Sequence, residues 1–258
     1  MQNFFYKLQA IFMDLSIIIP SYNEENRLPL TLVRVLDFLN VHYQGTFEII
    51  VIDDGSEDKT CKCVDVFIVQ HPYMHLVALG RNQGRGVAVR RGIEIAKGNL
   101  ILEMDADGSV DIEAIGRFVA YMDAHADVNM LIGSRNIEGA RIAKHQPLLR
   151  VILGNIFLSL AWIMFGWDFR DRVNGFKMFR IQAARDIFSY QHETGFLAEA
   201  ELVVIAEQRG WKYELLPVVW TDNRDSRIRP FRESWRSLWG MFAIAKRIRQ
   251  GVYGKKTF

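Results

Sequence analysis

The chain has 258 residues, 50% of them hydrophobic and 24% charged, a composition that suits one globular domain with an ample core. Its 19 glycines and six prolines exclude long low-complexity or disordered stretches. The two cysteines, Cys61 and Cys63, are too few for a zinc site and poorly placed to bridge each other, which indicates reduced thiols in a cytosolic protein.

The first 13 residues form a separate amphipathic segment in this interpretation. Five apolar side chains recur there at helical spacing: Phe4, Phe5, Leu8, Ile11 and Phe12. Met13 is an alternative start, because the first strand follows it directly. No basic region precedes a continuous apolar core, so we expect no signal peptide.

Residues 14–222 carry apolar runs that alternate with amphipathic helical patterns. We predict strands at residues 15–20, 47–53, 74–80, 99–105 and 129–135, with a helix after each of the first four. Strands that are apolar throughout favour a mainly parallel sheet that is covered by helices on both faces. The sequence therefore predicts an α/β domain over residues 14–222.

Polar residues stand where three of these strands end. The first strand runs into Pro20-Ser21-Tyr22-Asn23-Glu24, the second into Asp53-Asp54, and the fourth into Asp105-Ala106-Asp107. Ligands of parallel sheets bind outside the carboxyl ends of the strands, so these residues should meet in one cleft. An acidic cleft favours a hard divalent cation. Taken singly, each acidic stretch is also compatible with a simple turn or helix cap.

Five stretches in this order resemble the family two inverting glycosyltransferases of the A-type fold. They read SIIIPSYNEE, EIIVIDDGSEDKT, RNQGRGVAVRRGIEIAKGNLILEMDADGS, GSR and NGFKMFR. The resemblance covers residues 14–227 and is closest to the polyprenyl- and dolichyl-phosphate sugar synthases, which make a lipid-phosphate hexose from a nucleotide sugar. It implies a mixed, mainly parallel sheet with a Rossmann-like nucleotide-binding half. The stretch DADGS is more similar to the glucosyl-type branch.

The resemblance implies roles for the strand-end residues. The base and ribose of a UDP- or GDP-linked sugar would be held by Pro20, Tyr22, Glu24, Asp53 and Asp54. Asp105 and Asp107 would bind Mg²⁺ or Mn²⁺, which bridges the donor diphosphate, and Asp105 thereby also contributes to nucleotide binding.

The acceptor side is implied by basic residues. Arg135 and Lys177 match basic positions near the phosphates and the acceptor, and with Asp107 they are the predicted catalytic residues, although Arg135 alone is also compatible with a surface charge. Ser226 and Arg227 stand where the lipid-phosphate branch has a Gly-x-Ser-Lys-like segment. Here the glycine is missing and Arg replaces Lys.

Two alternatives to hexose transfer onto a lipid phosphate remain. A phosphate is already anionic near pH 7 and needs no general base, whereas a sugar hydroxyl in envelope polysaccharide assembly does. Glu199 and Glu201 are the candidates for such a base, unless they merely face solvent on a helix. The second alternative is an inactive membrane-bound scaffold, against which the intact carboxylates argue.

Residues 223–258 are predicted to lie on a membrane surface. Ten basic and two acidic residues give residues 224–258 a net charge of +8, against +2 for the whole chain. Trp235, Leu238, Trp239 and Phe242 fall on one helical face, as in an interfacial amphipathic helix. The apolar run 151–167 is short for a spanning helix and is either a buried core helix or an interfacial one. We expect a peripheral protein on the cytoplasmic membrane face that binds anionic lipid and no nucleic acid.

Overall fold

A computed structural model describes most of the chain. The described residues are 13–144, 159, 162–163, 172–195, 197–221 and 230–254, and for 144 and 230–238 only the backbone is described. The predicted amphipathic stripe before Met13, the side chains of Trp235 and Leu238, and the acceptor candidates Ser226 and Arg227 lie outside this set, as does most of the run 151–167.

A seven-stranded mixed sheet forms the centre of the molecule. Its spatial order is β3-β2-β1-β4-β7-β5-β8, and neighbours run parallel except around β7, which is antiparallel to both β4 and β5. The strands are β1 Met13–Ser21, β2 Phe47–Asp53, β3 Met74–Ala78, β4 Gly98–Glu103, β5 Met130–Ser134, β7 Lys177–Arg180 and β8 Tyr213–Pro217. Two further strands, β6 Arg141–Lys144 and β9 Val219–Thr221, pair in a small separate sheet. The predicted fold class is confirmed.

Helices cover both faces of the sheet. They are α1 Leu28–His42, α2 Thr60–Gln70, α3 Arg85–Ile95, α4 Ala114–Ala124, α5 Ile181–Ser189, α6 Ala198–Arg209 and α7 Pro230–Arg249. Residues of α1, α2 and α4 pack in one apolar core, and residues of α3, α5, α6 and α7 pack in the other. Since both faces are covered, the central strands are apolar on both sides, as their sequences predicted.

The C-terminal helix α7 is part of the domain over its second half. Met241 and Ile244 are fully buried in the second core, together with Tyr253 beyond the helix end. On the same helix, Trp239 is 61% exposed and Phe242 43% exposed. The second half of α7 therefore completes the core of the preceding domain with its inner face, and the amphipathic membrane-surface segment at 223–258 stays a prediction. Among the described residues, no helix is both long and apolar enough to span a bilayer.

Candidate active site

The loops that follow β1 and β2 are joined into one unit at the carboxyl edge of the sheet. Ser21 pairs with Asp53 at the ends of these strands, and the Asp54 N–H donates to the Ser21 carbonyl at 2.8 Å. Asn23 adopts a left-handed conformation with φ 56°. Its N–H donates to Ser56 Oγ at 2.8 Å. These hydrogen bonds fix the two strand-end motifs relative to each other.

Asp53 and Asp54 are both buried and turned toward backbone N–H groups. Asp53 Oδ2 accepts hydrogen bonds from the N–H groups of Gly55 and Ser56 at 3.2 and 3.0 Å. The two carboxylate oxygens of Asp54 accept from Gln83 at 2.7 Å and Gly84 at 2.9 Å. Burial raises the pKa of the Asp54 carboxyl. Asp53 thus forms the turn with Gly55 and Ser56 that was one interpretation of this motif.

One carboxylate oxygen of this pair lacks a hydrogen-bond donor among the described residues. Asp53 Oδ1 is buried and accepts no hydrogen bond from the residues that the structure describes. A buried acceptor without a donor costs about 1–3 kcal/mol, so a ligand N–H at this point would recover that free energy. The nucleotide-binding role predicted for Asp53 is compatible with this geometry.

The remaining predicted nucleotide residues differ in accessibility. Pro20 is buried within β1, whereas Tyr22, just beyond the strand, is 37% exposed. The Glu24 carboxylate accepts a hydrogen bond from Arg27 Nε at 2.6 Å. The backbone N–H of Glu24 donates to Thr60 Oγ1 at 2.7 Å. Tyr22 is therefore available to a ligand, while Glu24 contributes to the loop structure. The ligand roles of all three stay predictions.

Asp105 and Asp107 lie just beyond β4, as the sequence predicted. The Asp105 side chain is 43% exposed. Asp107 Oδ1 accepts from the Ser109 N–H at 2.9 Å, and burial together with the neighbouring Asp105 charge raises the pKa of Asp107. Two carboxylates that repel each other are stabilised by a cation between them.

This donor set fits a hard divalent ion. Mg²⁺ in substrate sites is usually bound through one or two carboxylates and completed by phosphate and water oxygens. The described residues contain no group of three or more His, Cys, Asp or Glu side chains that would hold a metal alone. Asp105 and Asp107 therefore fit a site that a substrate completes.

Arg85, the first residue of α3, reaches three carboxylates from three elements. Its Nε and Nη2 donate to Asp105 Oδ1 at 3.1 and 2.8 Å. Its Nη1 donates to Glu103 on β4 and to Glu199 on α6. Lys177 of β7 donates to Glu199 from the other side. Neither Arg85 nor Glu103 was predicted from the sequence.

The surroundings shift the pKa values of the two interior glutamates in opposite directions. Burial raises the pKa of Glu103, and the nearby Glu199 charge raises it further. Burial opposes ionisation of Glu199 too, but the Arg85 and Lys177 cations outweigh it and lower the pKa of Glu199. The two cations, Arg85 and Lys177, thus favour the ionised form of Glu199, whereas burial favours the neutral form of Glu103.

Two expectations about this region need correction. Lys177 is fully buried, and its ammonium donates to Glu199 and to the Asn174 carbonyl, so the structure does not present it to a substrate phosphate. Glu199 and Glu201 do not face solvent, because both are buried within the second core. All three residues lie in segments whose packing the sequence did not reveal.

Arg135 lies near the loop that follows Asp107. Its guanidinium stacks over the Trp220 ring at 4.8 Å from the centroid. Strand β9, which carries Trp220, is tied to that loop by the Thr221 N–H, which donates to the Ser109 carbonyl at 2.8 Å. This places a cation beside the predicted metal loop, and its contact with phosphate stays a prediction.

The sheet order, the acidic strand ends and the paired carboxylates define a glycosyltransferase of the A-type fold. Residues 16–188 match the model of Glycosyl transferase family 2, and the chain belongs to that family.

Two relatives are dolichyl-phosphate beta-glucosyltransferases. The one from Trichomonas vaginalis is 34% identical over 220 residues, which cover 82% of this chain and 65% of that protein. The one from Dictyostelium discoideum is 30% identical over 255 residues, which cover 94% of this chain and 77% of that protein. This chain therefore spans about two thirds to three quarters of the length of these relatives.

A solved structure supports the fold. Glucosyl-3-phosphoglycerate synthase from Mycobacterium tuberculosis, in complex with Mn²⁺, UDP-glucose and phosphoglyceric acid, superposes with a TM-score of 0.62 at 14% identity. The match covers 91% of this chain and 80% of that one. At this identity the similarity shows the shared fold.

Proposed function

We propose that this protein transfers a hexose, with inversion, from a nucleotide sugar to a polyprenyl phosphate at the cytoplasmic surface of a membrane. The observation that carries the proposal is the Asp105–Asp107 pair at the tip of β4 in a family 2 chain whose relatives are dolichyl-phosphate beta-glucosyltransferases. Those relatives favour glucose as the hexose.

The donor would lie across the carboxyl ends of β1, β2 and β4. Tyr22 is accessible there, and the unpaired Oδ1 of Asp53 is an acceptor for an N–H group of the base. Asp105 and Asp107 would hold Mg²⁺ or Mn²⁺. When bound, the ion supplies a Lewis acid that stabilises the charge of the departing nucleoside diphosphate.

The acceptor is best explained as a phosphate. A phosphate monoester has a second pKa of about 6 and is already a nucleophile near neutral pH. A hydroxyl acceptor would require a general base within hydrogen-bond reach. Glu199 is held by Arg85 and Lys177, and Glu201 by Arg247 and Tyr253, so both candidate bases are occupied in the interior. This arrangement supports the lipid-phosphate acceptor over the hydroxyl one.

Cations near the metal loop would hold that acceptor phosphate. Arg135, stacked on Trp220, is the described candidate, Arg227 is a further one, and the neutral Ser226 hydroxyl could donate to the same phosphate. An arginine held against an indole ring presents its N–H groups in a fixed plane, which suits a phosphate.

The membrane surface is supported by exposed aromatic residues. Trp239 and Phe242 are exposed on α7, whose last turn carries Lys246, Arg247 and Arg249. Trp162, within the apolar run 151–167, is helical and 59% exposed. Exposed tryptophan beside basic residues is typical of a helix that lies in the bilayer interface.

The direct test is a transfer assay with the full chain. Labelled UDP- and GDP-hexoses would be supplied with a short polyprenyl phosphate and Mg²⁺ or Mn²⁺, and organic-phase label would be counted. We expect lipid-linked label, with UDP-glucose as the preferred donor. As matched variants, Asp107→Ala should lose the activity and Asp65→Ala, an exposed aspartate on α2, should keep it. Transfer to a sugar hydroxyl instead, or nucleotide binding without any turnover, would contradict the proposal.

A further inference from the structure

The Arg85 guanidinium connects the strand-tip carboxylate Asp105 to the interior of the domain. We propose that Arg85 is a positioning residue for Asp105, that the buried Glu199–Lys177 pair holds Arg85, and that Gly175 leaves the space that the contact needs. The inference rests on the proposed function, because it concerns the site at which the nucleotide sugar and its divalent ion would bind.

The first observation is the direction of the hydrogen bonds. Nε and Nη2 of Arg85 both donate to the same oxygen, Asp105 Oδ1, at 3.1 and 2.8 Å. Asp105 Oδ2 accepts no hydrogen bond from the described residues. A guanidinium that donates to one oxygen from two N–H groups fixes the position of that oxygen and leaves the other oxygen for a ligand.

The second observation is what lies behind Arg85. Its Nη1 donates to Glu103 and Glu199, whose side chains are almost entirely buried, and the fully buried Lys177 donates to Glu199. Breaking a buried ion pair leaves an uncompensated charge, so the arginine has few alternative positions. A guanidinium anchored in this way can hold a half-exposed carboxylate in one orientation.

The third observation is the absence of a side chain at position 175. Gly175 has no left-handed backbone conformation, so its φ angle does not demand glycine. A Cβ built on it would lie 2.6 Å from both carboxylate oxygens of Asp105, and it would also collide with Arg85 Nη2. Glycine is therefore needed there for the Arg85–Asp105 contact itself.

A different role for Arg85 makes a different prediction. If Arg85 contacted the donor diphosphate directly, its replacement would weaken nucleotide binding even without metal. If it positions Asp105, replacement weakens Mn²⁺ binding and leaves metal-free nucleotide binding unchanged. The two roles are thus separable without measuring turnover.

The experiment compares the wild type with Gly175→Ala and Arg85→Lys. Mn²⁺ affinity is measured from the electron paramagnetic resonance signal of free Mn²⁺, alone and with UDP or GDP, and nucleotide affinity is measured separately in chelator. Thermal unfolding in chelator checks the fold. Gly240→Ala is the control, because its added methyl group would also run into the end of one side chain, Leu197, away from Asp105.

We expect Gly175→Ala to weaken Mn²⁺ binding at least about tenfold and Arg85→Lys to weaken it several-fold, since lysine keeps the charge but lacks the guanidinium fork that reaches Asp105, Glu103 and Glu199 together. Gly240→Ala should bind Mn²⁺ as the wild type does. Wild-type Mn²⁺ affinity in both Gly175→Ala and Arg85→Lys would overturn the positioning role. A wild type that binds neither Mn²⁺ nor nucleotide would instead refute the donor site and with it the proposed function.

Discussion

Two buried glutamates on α6, Glu199 and Glu201, stand two positions apart and serve different regions of the molecule. Glu199 faces the sheet and pairs with Arg85 and Lys177. Glu201 faces the C-terminal helix, where it accepts from Arg247 at 3.1 Å and from Tyr253 Oη at 2.8 Å. It also accepts from two backbone N–H groups of the loop before α6, at 2.9 and 2.7 Å.

The difference between Glu199 and Glu201 shows that burial and residue type do not by themselves identify a functional carboxylate. The Glu199 cluster includes Asp105, which reaches solvent at the strand tip. The Glu201 cluster fastens α7 and the loop at residues 192–193 to the domain. Substitutions in the first cluster should therefore change ligand binding as well as stability, whereas those in the second should change stability alone.

The largest effect is expected at the strand tip, beside the solvent-facing Asp105 of the Glu199 cluster. Asp107→Ala should lower the rate of hexose transfer by at least about a thousandfold, since metal stabilisation of a leaving group contributes several kcal/mol. Its unfolding free energy should change little, because the carboxylate is only partly buried. Transfer assays and urea unfolding measure the two quantities. Near-normal activity of Asp107→Ala in Mn²⁺ would contradict the assignment of Asp107 as a metal ligand.

The next largest effect is a loss of stability in the Glu201 cluster that leaves metal binding unchanged. Glu201→Gln should lower the unfolding free energy by about 3 kcal/mol, because Arg247 loses one of its anionic partners and a buried acceptor oxygen is replaced by an amide donor. Arg247 keeps Glu193 at 2.7 Å, which limits the loss. Urea unfolding gives the free energy, and Mn²⁺ binding to the folded variant should equal that of the wild type. Weakened Mn²⁺ binding in Glu201→Gln would break the distinction between the clusters.

A smaller effect is expected for Glu199→Gln on transfer to polyprenyl phosphate. Loss of the anion loosens Arg85, so the KM for the nucleotide sugar should rise within about thirtyfold while kcat stays within a few-fold of the wild type. General-base catalysis typically contributes 10²–10⁴-fold. A kcat loss of that size, with folding and donor affinity preserved, would show that Glu199 acts as a base and favour a hydroxyl acceptor.

The smallest effect concerns the helix that Glu201 helps to hold. Trp239→Ser should reduce binding to anionic liposomes in high salt by about tenfold, because burial of a large aromatic side chain contributes about 1.5–3 kcal/mol and is insensitive to salt. Val69→Ser, at an exposed apolar position on α2, should have no effect. Co-sedimentation at low and high salt measures both. A wild type that stays in the supernatant at low salt would contradict the membrane proposal.

The sequence predicted the parts of this structure that depend on local pattern. The five long apolar strands and the position of Asp105 and Asp107 are confirmed, because strand runs and their polar ends are local signals. Strand β7 was missed, since KMFR is short and contains two cations. Its Lys177 and the acid inside the apolar run LILEMD were nevertheless signals, because a charge in a buried strand requires a partner.

The partners of those charges could not be predicted from the sequence. Arg85 and Glu199 are 114 positions apart, and only the packing of α6 against the sheet brings them together. The same holds for Glu201 and Tyr253, which are 52 positions apart. Helix α6 is buried along most of its length, so its apolar pattern could not show that its acids face inward.

The central claim is that a phosphate oxygen of a polyprenyl phosphate attacks the anomeric carbon with inversion. The most direct measurement is the proton NMR spectrum of the lipid product made by the full chain from an α-linked nucleotide glucose and a short polyprenyl phosphate. We expect one glucose per lipid, joined through the phosphate in the β configuration. An α-linked product, or glucose attached to a hydroxyl group with the lipid phosphate unchanged, would contradict it.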